Sequence, residues 1–287
     1  MRRATAPLGI PVLGCLPRDD DLALPERHLG LVQAAERDNL QPFVEAAADL
    51  ADRHLDLAML RSLAKPGGCA ALSTVRGSAG LPPLGQRIAV ARDVAFAFAY
   101  PTQLDMWRAA GATLSFFSPL ADEAPATDAD AIFLPGGYPE LHAGRLAANA
   151  VFLGGLRTAA ARGATIYGEC GGYMMLGESI TDAEGQPHAM AGLLPLTTSF
   201  AERRLHLGYR QARLATSCAL GSAGSGFRGH EFHYAVIRDE GTGEPLFECR
   251  DARGIRLGGS GRRRGSVMGS FVHLIDRVED GAIEVAG

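Results

Sequence analysis

The feature that most constrains the fold is an alternation of strand-like and helix-like segments between residues 87 and 176. Short apolar runs typical of buried strands are followed by segments of helical periodicity, two of which end at a glycine. Strands that alternate with helices form a parallel sheet covered on both faces. The predicted strands are 87–93, 113–118, 131–134 and 165–167, and the predicted helices are 100–110, 145–162 and 173–176.

Beyond about residue 186 the helical signal fades and short alternating segments replace it. These segments predict antiparallel strands added to the edge or end of the same sheet. The predicted strands are 205–214, 227–237, 245–250, 254–258 and 266–275. The predicted fold class is therefore α/β, a parallel sheet with added antiparallel strands.

The first 65 residues contain too few elements to enclose a core. Residues 9–17 predict one short buried strand, and residues 39–63 carry apolar positions near a helical period. Residues 66–85 are rich in small residues without periodicity, which indicates a linker. We therefore expect residues 1–65 to be the closing part of a domain, followed by a linker at 66–85 and a second domain at 86–287.

Composition excludes several classes of function. Apolar residues make up 47% of the 287 residues and charged residues 21%, with a net charge of −4, so we expect a soluble globular protein without a nucleic-acid partner. Five cysteines with no C-x-x-C pair suit a reducing cytoplasm. No apolar stretch is long enough for a signal peptide or a membrane span. The basic run 262–264 is interpreted as a solvated hairpin turn, with an anion-binding role as the alternative.

The strongest local motif is Gly168-Glu169-Cys170-Gly171-Gly172, between a predicted strand and a predicted helix. A nucleophile on such a turn projects from the sheet and needs small neighbours, as in a nucleophile elbow. The helix that follows is expected to lower the thiol pKa, and the Gly171 N–H to bind an oxyanion. The alternative is a buried cysteine that serves only close packing.

Two further segments favour the catalytic interpretation. The turn Pro135-Gly136-Gly137 ends a strand on the same edge of the predicted sheet, where ligands of open α/β sheets bind. Its N–H groups are candidates to complete an oxyanion hole with Gly171. His273 ends a late strand and is the candidate base for Cys170.

These pieces together resemble the class I glutamine amidotransferase domain. The resemblance narrows to the cobyrinic or hydrogenobyrinic acid a,c-diamide synthases and covers the chain from about residue 9 to its end. The Gly-His-Glu-Phe-His-Tyr block is fairly specific to that group. The motifs that carry it are His28-Leu29-Gly30-Leu31, 135–140, 169–174, Gly208-Tyr209-Arg210 and 229–234.

The resemblance implies a flavodoxin-like amidotransferase fold preceded by part of a P-loop-type ATP-binding domain. It implies Cys170 as nucleophile and His273 as its base, with Gly136, Gly137, Gly171 and Tyr173 forming the oxyanion and glutamine pocket. Many class I domains place an orienting glutamate two residues after the histidine. Ile275 occupies that position here, so we expect a dyad with no assigned third member.

The implied reaction uses L-glutamine to amidate the a and c carboxylates of hydrogenobyrinic or cobyrinic acid, with ATP and Mg²⁺. The sequence contains no Gly-x-x-x-x-Gly-Lys-Ser/Thr phosphate loop. We therefore expect the chain to retain at most the glutaminase half-reaction, with residues 9–64, including the loop 25–30, as the end of the ATP domain.

Two alternatives stay open at this stage. A cobyric acid synthase would amidate other carboxylates of the same ring, and a non-catalytic or regulatory amidotransferase-fold domain would retain only the fold. His230 and His233 invite a zinc interpretation, but residues i and i+3 of a strand point to opposite faces, so we expect no metal there. The sequence leaves the oligomeric state undetermined, and a homodimer is among the allowed states.

Overall fold

The structure is a computed structural model that describes residues 2–24, 32, 34–64 and 80–278. The chain divides into two compact units, Met1–Arg76 and Gly77–Gly287. The predicted loop 25–30 and most of the predicted linker lie outside the described residues. The last linker residues, 80–85, are not linker-like, because Leu81 and Leu84 are buried in the core of the second unit.

The first unit consists of short helices. Its helices are α1 (Arg2–Thr5), α2 (Leu40–His54) and α3 (Leu57–Leu63), with 3₁₀ turns at Ala6–Leu8, Asp20–Leu22 and Ala34–Glu36. Leu50 is the one core residue among the described residues of this unit. The predicted strand at 9–17 is wrong, because this segment has only a single bridge, between Gly14 and Leu55.

The segment 39–63, which the sequence predicts to be helical, consists of two helices. Leu55 is extended between them, and the Asp56 carboxylate caps α3 by accepting a hydrogen bond from the Met59 N–H at 2.8 Å. An N-cap carboxylate of this kind starts a new helix, which explains the break in an otherwise continuous periodicity.

Residues 80–278 of the second unit form two sheets and four helices. Its strands are β1 (Arg87–Ala91), β2 (Thr113–Phe117), β3 (Ala131–Leu134), β4 (Thr165–Glu169), β5 (Ser179–Thr181), β6 (Pro187–Ala189), β7 (Thr197–Ser199), β8 (His206–Leu214), β9 (Gly226–His233), β10 (Val236–Asp239), β11 (Pro245–Asp251), β12 (Arg256–Arg264), β13 (Val267–Ser270) and β14 (His273–Val278). Its helices are α4 (Pro101–Ala109), α5 (Ala143–Ala148), α6 (Ala150–Ala161) and α7 (Gly171–Leu176), with 3₁₀ turns at Pro119–Ala121 and Pro139–His142.

The larger sheet has ten strands in the order β14-β9-β8-β11-β12-β13-β4-β3-β1-β2. Strands β2, β1, β3, β4 and β13 are parallel, and the other five are antiparallel to their neighbours. The parallel part has the flavodoxin-like order. This confirms the predicted fold class, a parallel sheet extended by antiparallel strands.

The antiparallel half of this sheet curls back on the parallel half. Strands β13 and β14 are separated by only Phe271 and Val272, yet four strands lie between them in the sheet order. The curl brings the start of β14 to the end of β4, where the Leu274 N–H donates to the Glu169 carboxylate at 3.1 Å. The curl therefore brings β14 to the carboxyl edge of the parallel strands.

Side chains of the parallel strands alternate between two cores. Ala89, Ile132 and Ile166 pack on one face of the sheet, in the same cluster as residues of α6 and α7. Val90 and Phe133 pack on the other face in a cluster that includes Trp107 of α4. Both faces are covered, as the alternation of strands and helices predicted.

A second sheet of four strands, in the order β10-β7-β5-β6, was not predicted. Strands β5, β6 and β7 have only three residues each, too few for a periodic signal. The predicted strand 227–237 is divided accordingly, because β9 belongs to the large sheet and β10 to the small one.

Three further predictions need correction. The segment 266–275 is two strands, and its first half, β13, is parallel to β4. The helix 145–162 is interrupted at Asn149, whose side chain donates to the Pro119 carbonyl oxygen at 2.7 Å. The arginines 262–264 are the end of β12 and not the turn, and the Arg262 guanidinium lies 3.1 Å from Glu240.

Candidate active site

Cys170 lies on a strained turn between β4 and α7. Its φ of 48° and ψ of −104° are unusual for a residue with a side chain, and the residue is buried. The glycines around it are required by close backbone contacts, since a Cβ at Gly172 would lie 1.9 Å from the Leu134 carbonyl oxygen. The predicted elbow is therefore present, with the strained backbone that exposes a nucleophile in such turns.

The Gly136–Gly137 loop lies against this elbow. A Cβ at Gly137 would lie 2.0 Å from the Ala95 carbonyl oxygen, so only glycine fits there. A Cβ at Gly171 would lie 3.1 Å from the Gly137 backbone nitrogen, which places the loop and the first residue of α7 side by side. The structure thus brings together Gly136, Gly137 and Gly171, the three glycines predicted from the sequence to form an oxyanion hole.

His273 begins β14 and is packed over the same loop. A Cβ at Gly136 would lie 2.3 Å from its Cε1 atom, and the imidazole is parallel to that of His230, with a centroid separation of 4.8 Å. Burial, and secondarily His230, lower the pKa of His273 to about 3. The imidazole is neutral at neutral pH and is able to accept a proton.

No hydrogen bond joins Cys170 to His273 within the part of the chain that the structure describes. Catalytic hydrogen bonds in substrate-free sites are often long and tighten when substrate binds. Burial, followed by the charge of Glu140, raises the pKa of the Cys170 thiol, and a bond from the Gly171 N–H only partly offsets this. The expectation that α7 leaves a lowered thiol pKa is therefore wrong for the substrate-free site, because desolvation is the larger effect.

Glu169, which sequence reasoning did not select, also faces His273. Its Oε2 atom lies 3.8 Å from His273 Nδ1, and its Oε1 atom accepts hydrogen bonds from the Tyr167 hydroxyl and the Leu274 N–H at 3.0 and 3.1 Å. Ile275, at the position where related domains carry glutamate, is 45% exposed. The signal available in the sequence was the alternation of side chains along a strand, which places Tyr167 and Glu169 on the same face of β4.

Tyr173 is fully buried behind the elbow. Its hydroxyl donates to Glu240 Oε1 at 2.8 Å, and its ring contacts Phe271 edge-on at 5.5 Å. Burial, and then the charge of Glu240, raise its pKa. The structure thus places the Tyr173 hydroxyl on Glu240, and its role in the glutamine pocket stays a prediction.

A cavity of about 400 Å³ lies next to Phe271. It is lined by the ion-paired Arg210 and Glu231, whose Nε and Oε2 atoms are 2.5 Å apart, and by Glu240. His233 lines it as well, with its ring stacked on Phe271. His230 instead stacks on His273, so the two histidines of the Gly-His-Glu-Phe-His-Tyr block have different neighbours, as their strand spacing predicted.

The residues present do not fit an ATP–Mg²⁺ site. Within 2–24, 32, 34–64 and 80–278, no group of three or more His, Cys, Asp or Glu residues could hold a metal ion. The sequence also lacks the phosphate-binding loop whose lysine would contact the nucleotide. In the same described ranges, no helix is long and apolar enough to cross a bilayer.

The sheet order and the cysteine elbow beside a buried histidine are those of a glutamine amidotransferase domain. Residues 87–279 match the family described as the CobB/CobQ-like glutamine amidotransferase domain, and the chain belongs to this family. A crystal structure of a glutamine amidotransferase is similar with a TM-score of 0.43 and 20% identity, over 65% of this chain and 89% of that one.

The chain is also similar to curated relatives. A hydrogenobyrinate a,c-diamide synthase from Brucella anthropi is 56% identical over 277 residues, which cover 96% of this chain and 62% of that protein. The protein of the same name from a Sinorhizobium species is 54% identical over 278 residues, with the same two coverages of 96% and 62%. The chain thus spans less than two thirds of the length of these relatives.

The protonation of Glu169 predicts a pH-dependent stability. Burial raises its pKa from 4.5 to about 8. The folded protein therefore holds a proton that the unfolded chain has released, and the contribution of Glu169 to stability declines as pH rises through this window. Glutamine does not titrate, so Glu169→Gln lacks this decline. The difference between the melting temperature of Glu169→Gln and that of the wild type should therefore rise by several degrees from about pH 5 to pH 8 and stay constant above pH 8.

The measurement is a series of thermal melts between pH 5 and pH 9. Glu248→Gln, which removes an exposed carboxylate on β11, is the matched control for the loss of one charge. If the melting-temperature difference between Glu169→Gln and the wild type did not vary with pH, this would contradict a buried, protonated Glu169 carboxyl group.

Proposed function

We propose that residues 80–278 hydrolyse L-glutamine through a Cys170 thioester. The observation that carries the proposal is the juxtaposition of a strained, buried cysteine, the Gly136–Gly137 loop and a buried neutral histidine. A nucleophile, a base and backbone donors at one sheet edge are the parts that acyl transfer requires. A domain that retained only the fold would not need this strained cysteine.

The chemistry follows from these positions. His273 removes the thiol proton as the Cys170 sulphur attacks the side-chain carbonyl carbon of glutamine, and the N–H groups of Gly137 and Gly171 stabilise the oxyanion. Collapse of this intermediate breaks the C–N bond, and the His273 imidazolium protonates the departing amide nitrogen, which leaves as ammonia. Water then attacks the thioester with His273 as base, and glutamate leaves as the thiol regains its proton.

We propose further that the ammonia amidates the a and c carboxylates of a corrinoid. The support is that the relatives bear the name hydrogenobyrinate a,c-diamide synthase and match 96% of this chain. This favours hydrogenobyrinic acid as the substrate, with cobyrinic acid as the second choice. Amide formation from a carboxylate requires activation, so the proposal assigns ATP and Mg²⁺ to the whole protein. We place the protein in the cytoplasm, because reduced cysteines persist in a reducing compartment.

Replacement of the nucleophile tests the glutaminase assignment. Cys170→Ala is expected to lower kcat for glutamine hydrolysis by a factor on the order of 10³ or more, because no other group can form the thioester. Cys15→Ala is the matched control, since Cys15 is exposed in the other unit, and it should keep wild-type turnover. Equal turnover in Cys170→Ala and the wild type would refute the assignment.

A second experiment separates a catalytic from a non-catalytic domain. The glutamine analogue 6-diazo-5-oxo-L-norleucine should label Cys170 and be excluded by excess glutamine, as followed by peptide mass spectrometry. A domain that retained only the fold would show no selective labelling of Cys170.

The loop contact gives an independent prediction. A methyl group at position 136 would lie 2.3 Å from the His273 ring, so Gly136→Ala should displace the base and lower kcat on the order of 10- to 100-fold. Gly154→Ala is the matched control, because a Cβ at this position in α6 has no neighbour within 4 Å. The glutaminase assay decides, and unchanged turnover in Gly136→Ala would mean that the His273 position does not matter.

The corrinoid assignment is tested by counting amides. With hydrogenobyrinic acid, ATP, Mg²⁺ and amide-¹⁵N glutamine, the whole protein is expected to give a product that carries two labelled nitrogens by mass spectrometry. Four would favour a cobyric acid synthase-like enzyme. Intact glutaminase activity without any amidation would restrict this chain to the first half-reaction. Ammonium salts with Cys170→Ala are the control, because free ammonia bypasses the glutaminase site.

A further inference from the structure

Glu169 is held so that one of its carboxylate oxygens faces the catalytic histidine. Its side chain is 1% exposed, and Oε1 accepts hydrogen bonds from the Tyr167 hydroxyl and the Leu274 N–H. Oε2 has no hydrogen-bond partner in the described part of the chain and lies 3.8 Å from His273 Nδ1. A buried carboxyl oxygen without a hydrogen-bond partner destabilises the fold, so its presence here calls for a functional explanation.

A carboxylate in this position would select the productive form of the histidine. A neutral imidazole carries one proton, and an acceptor that faces Nδ1 favours the tautomer with the proton on Nδ1. Nε2 then keeps its lone pair and is able to take the thiol proton of Cys170. A carboxylate also stabilises the imidazolium that forms during attack.

We propose that Glu169 is the positioning residue for His273, so that the residue directly before the nucleophile supplies the third member of the triad. This inference rests on the proposed glutaminase function. At 3.8 Å the contact is longer than a hydrogen bond, so it must shorten by about 1 Å when glutamine binds. The strand register permits this approach, because Ser270 pairs with Glu169 and lies three residues before His273.

The proton on Glu169 makes this role pH-dependent. Tyr167 of β4 and Tyr100, at the start of α4, face the carboxyl group of Glu169. His273 of β14 faces it as well, and the His273 ring is stacked on His230. Since burial raises the pKa of Glu169 to about 8, the carboxyl group is protonated below that pH and donates to Nδ1, which favours the wrong tautomer. Glutaminase kcat/KM in the wild type should therefore increase as pH rises through about 8.

Glu169→Gln tests the proposal with little change in shape. The amide oxygen still accepts the bonds from Tyr167 and Leu274, but the amide N–H₂ donates to Nδ1 and favours the wrong tautomer. We expect kcat for glutamine hydrolysis to fall on the order of 10²- to 10⁴-fold, with KM changed less than about threefold. The increase of kcat/KM near pH 8 should disappear.

Tyr167→Phe is the matched comparison. It removes one hydrogen bond to Oε1 but keeps the carboxylate, so kcat should fall less than about tenfold. If Glu169 had only a structural role, kcat would fall more in Tyr167→Phe than in Glu169→Gln, because only Tyr167→Phe loses a hydrogen bond. A kcat of Glu169→Gln within about threefold of the wild type would overturn the proposal.

A spectroscopic readout needs neither activity nor a stable Glu169 variant. ¹⁵N NMR of histidine-labelled wild type at pH 9, with the His273 signals assigned by their loss in His273→Gln, should show the proton on Nδ1. A proton on Nε2 would overturn the proposal. If the wild type hydrolyses no glutamine, the proposed function fails, whereas the tautomer still decides whether Glu169 positions His273.

Discussion

The candidate active site depends on the parallel pairing of β4 with β13. The Cys170 N–H donates to the Ser270 carbonyl oxygen at 2.8 Å, which ties the elbow to the end of β13. A non-glycine residue at positive φ costs on the order of 1–3 kcal/mol and persists only where its surroundings fix it. The chain continues from the end of β13 through Phe271 and Val272 to His273 at the start of β14, so this pairing helps to place both the proposed nucleophile and its proposed base. A change in register between β4 and β13 would therefore separate them.

Burial keeps the substrate-free site uncharged. It raises the pKa of Cys170 and Glu169 and lowers that of His273, so in each case the neutral form is favoured. An isolated thiolate or imidazolium at this depth would be costly, but the pair formed by proton transfer is mutually stabilising. In the proposed mechanism the site gains its reactivity when glutamine brings thiol, imidazole and backbone donors together, which limits side reactions of a free thiolate.

The features that depend on local sequence patterns were predicted from the sequence. Alternating strands and helices gave the parallel sheet, and the glycines around Cys170 gave the elbow, because close backbone contacts exclude any side chain there. Tertiary contacts were not predictable in this way. The break at Asn149 depends on a bond to the distant Pro119 carbonyl, and the role of Glu169 depends on the curl that brings Leu274 to it. The three-residue strands of the small sheet are too short to produce a pattern.

The stacked histidine pair explains why a second imidazole lies beside the base. The Tyr100 hydroxyl and His230 Nε2 share a hydrogen bond of 2.5 Å, and the raised pKa of Tyr100, about 12, keeps the hydroxyl protonated. Burial lowers the pKa of His230, which favours its neutral form. A neutral, parallel ring 4.8 Å away offers a polarisable face to the His273 imidazolium that forms during attack, whereas a protonated His230 would oppose it. The Tyr100 hydroxyl thus holds the His230 ring in place beside His273, at one remove from the proposed reacting atoms.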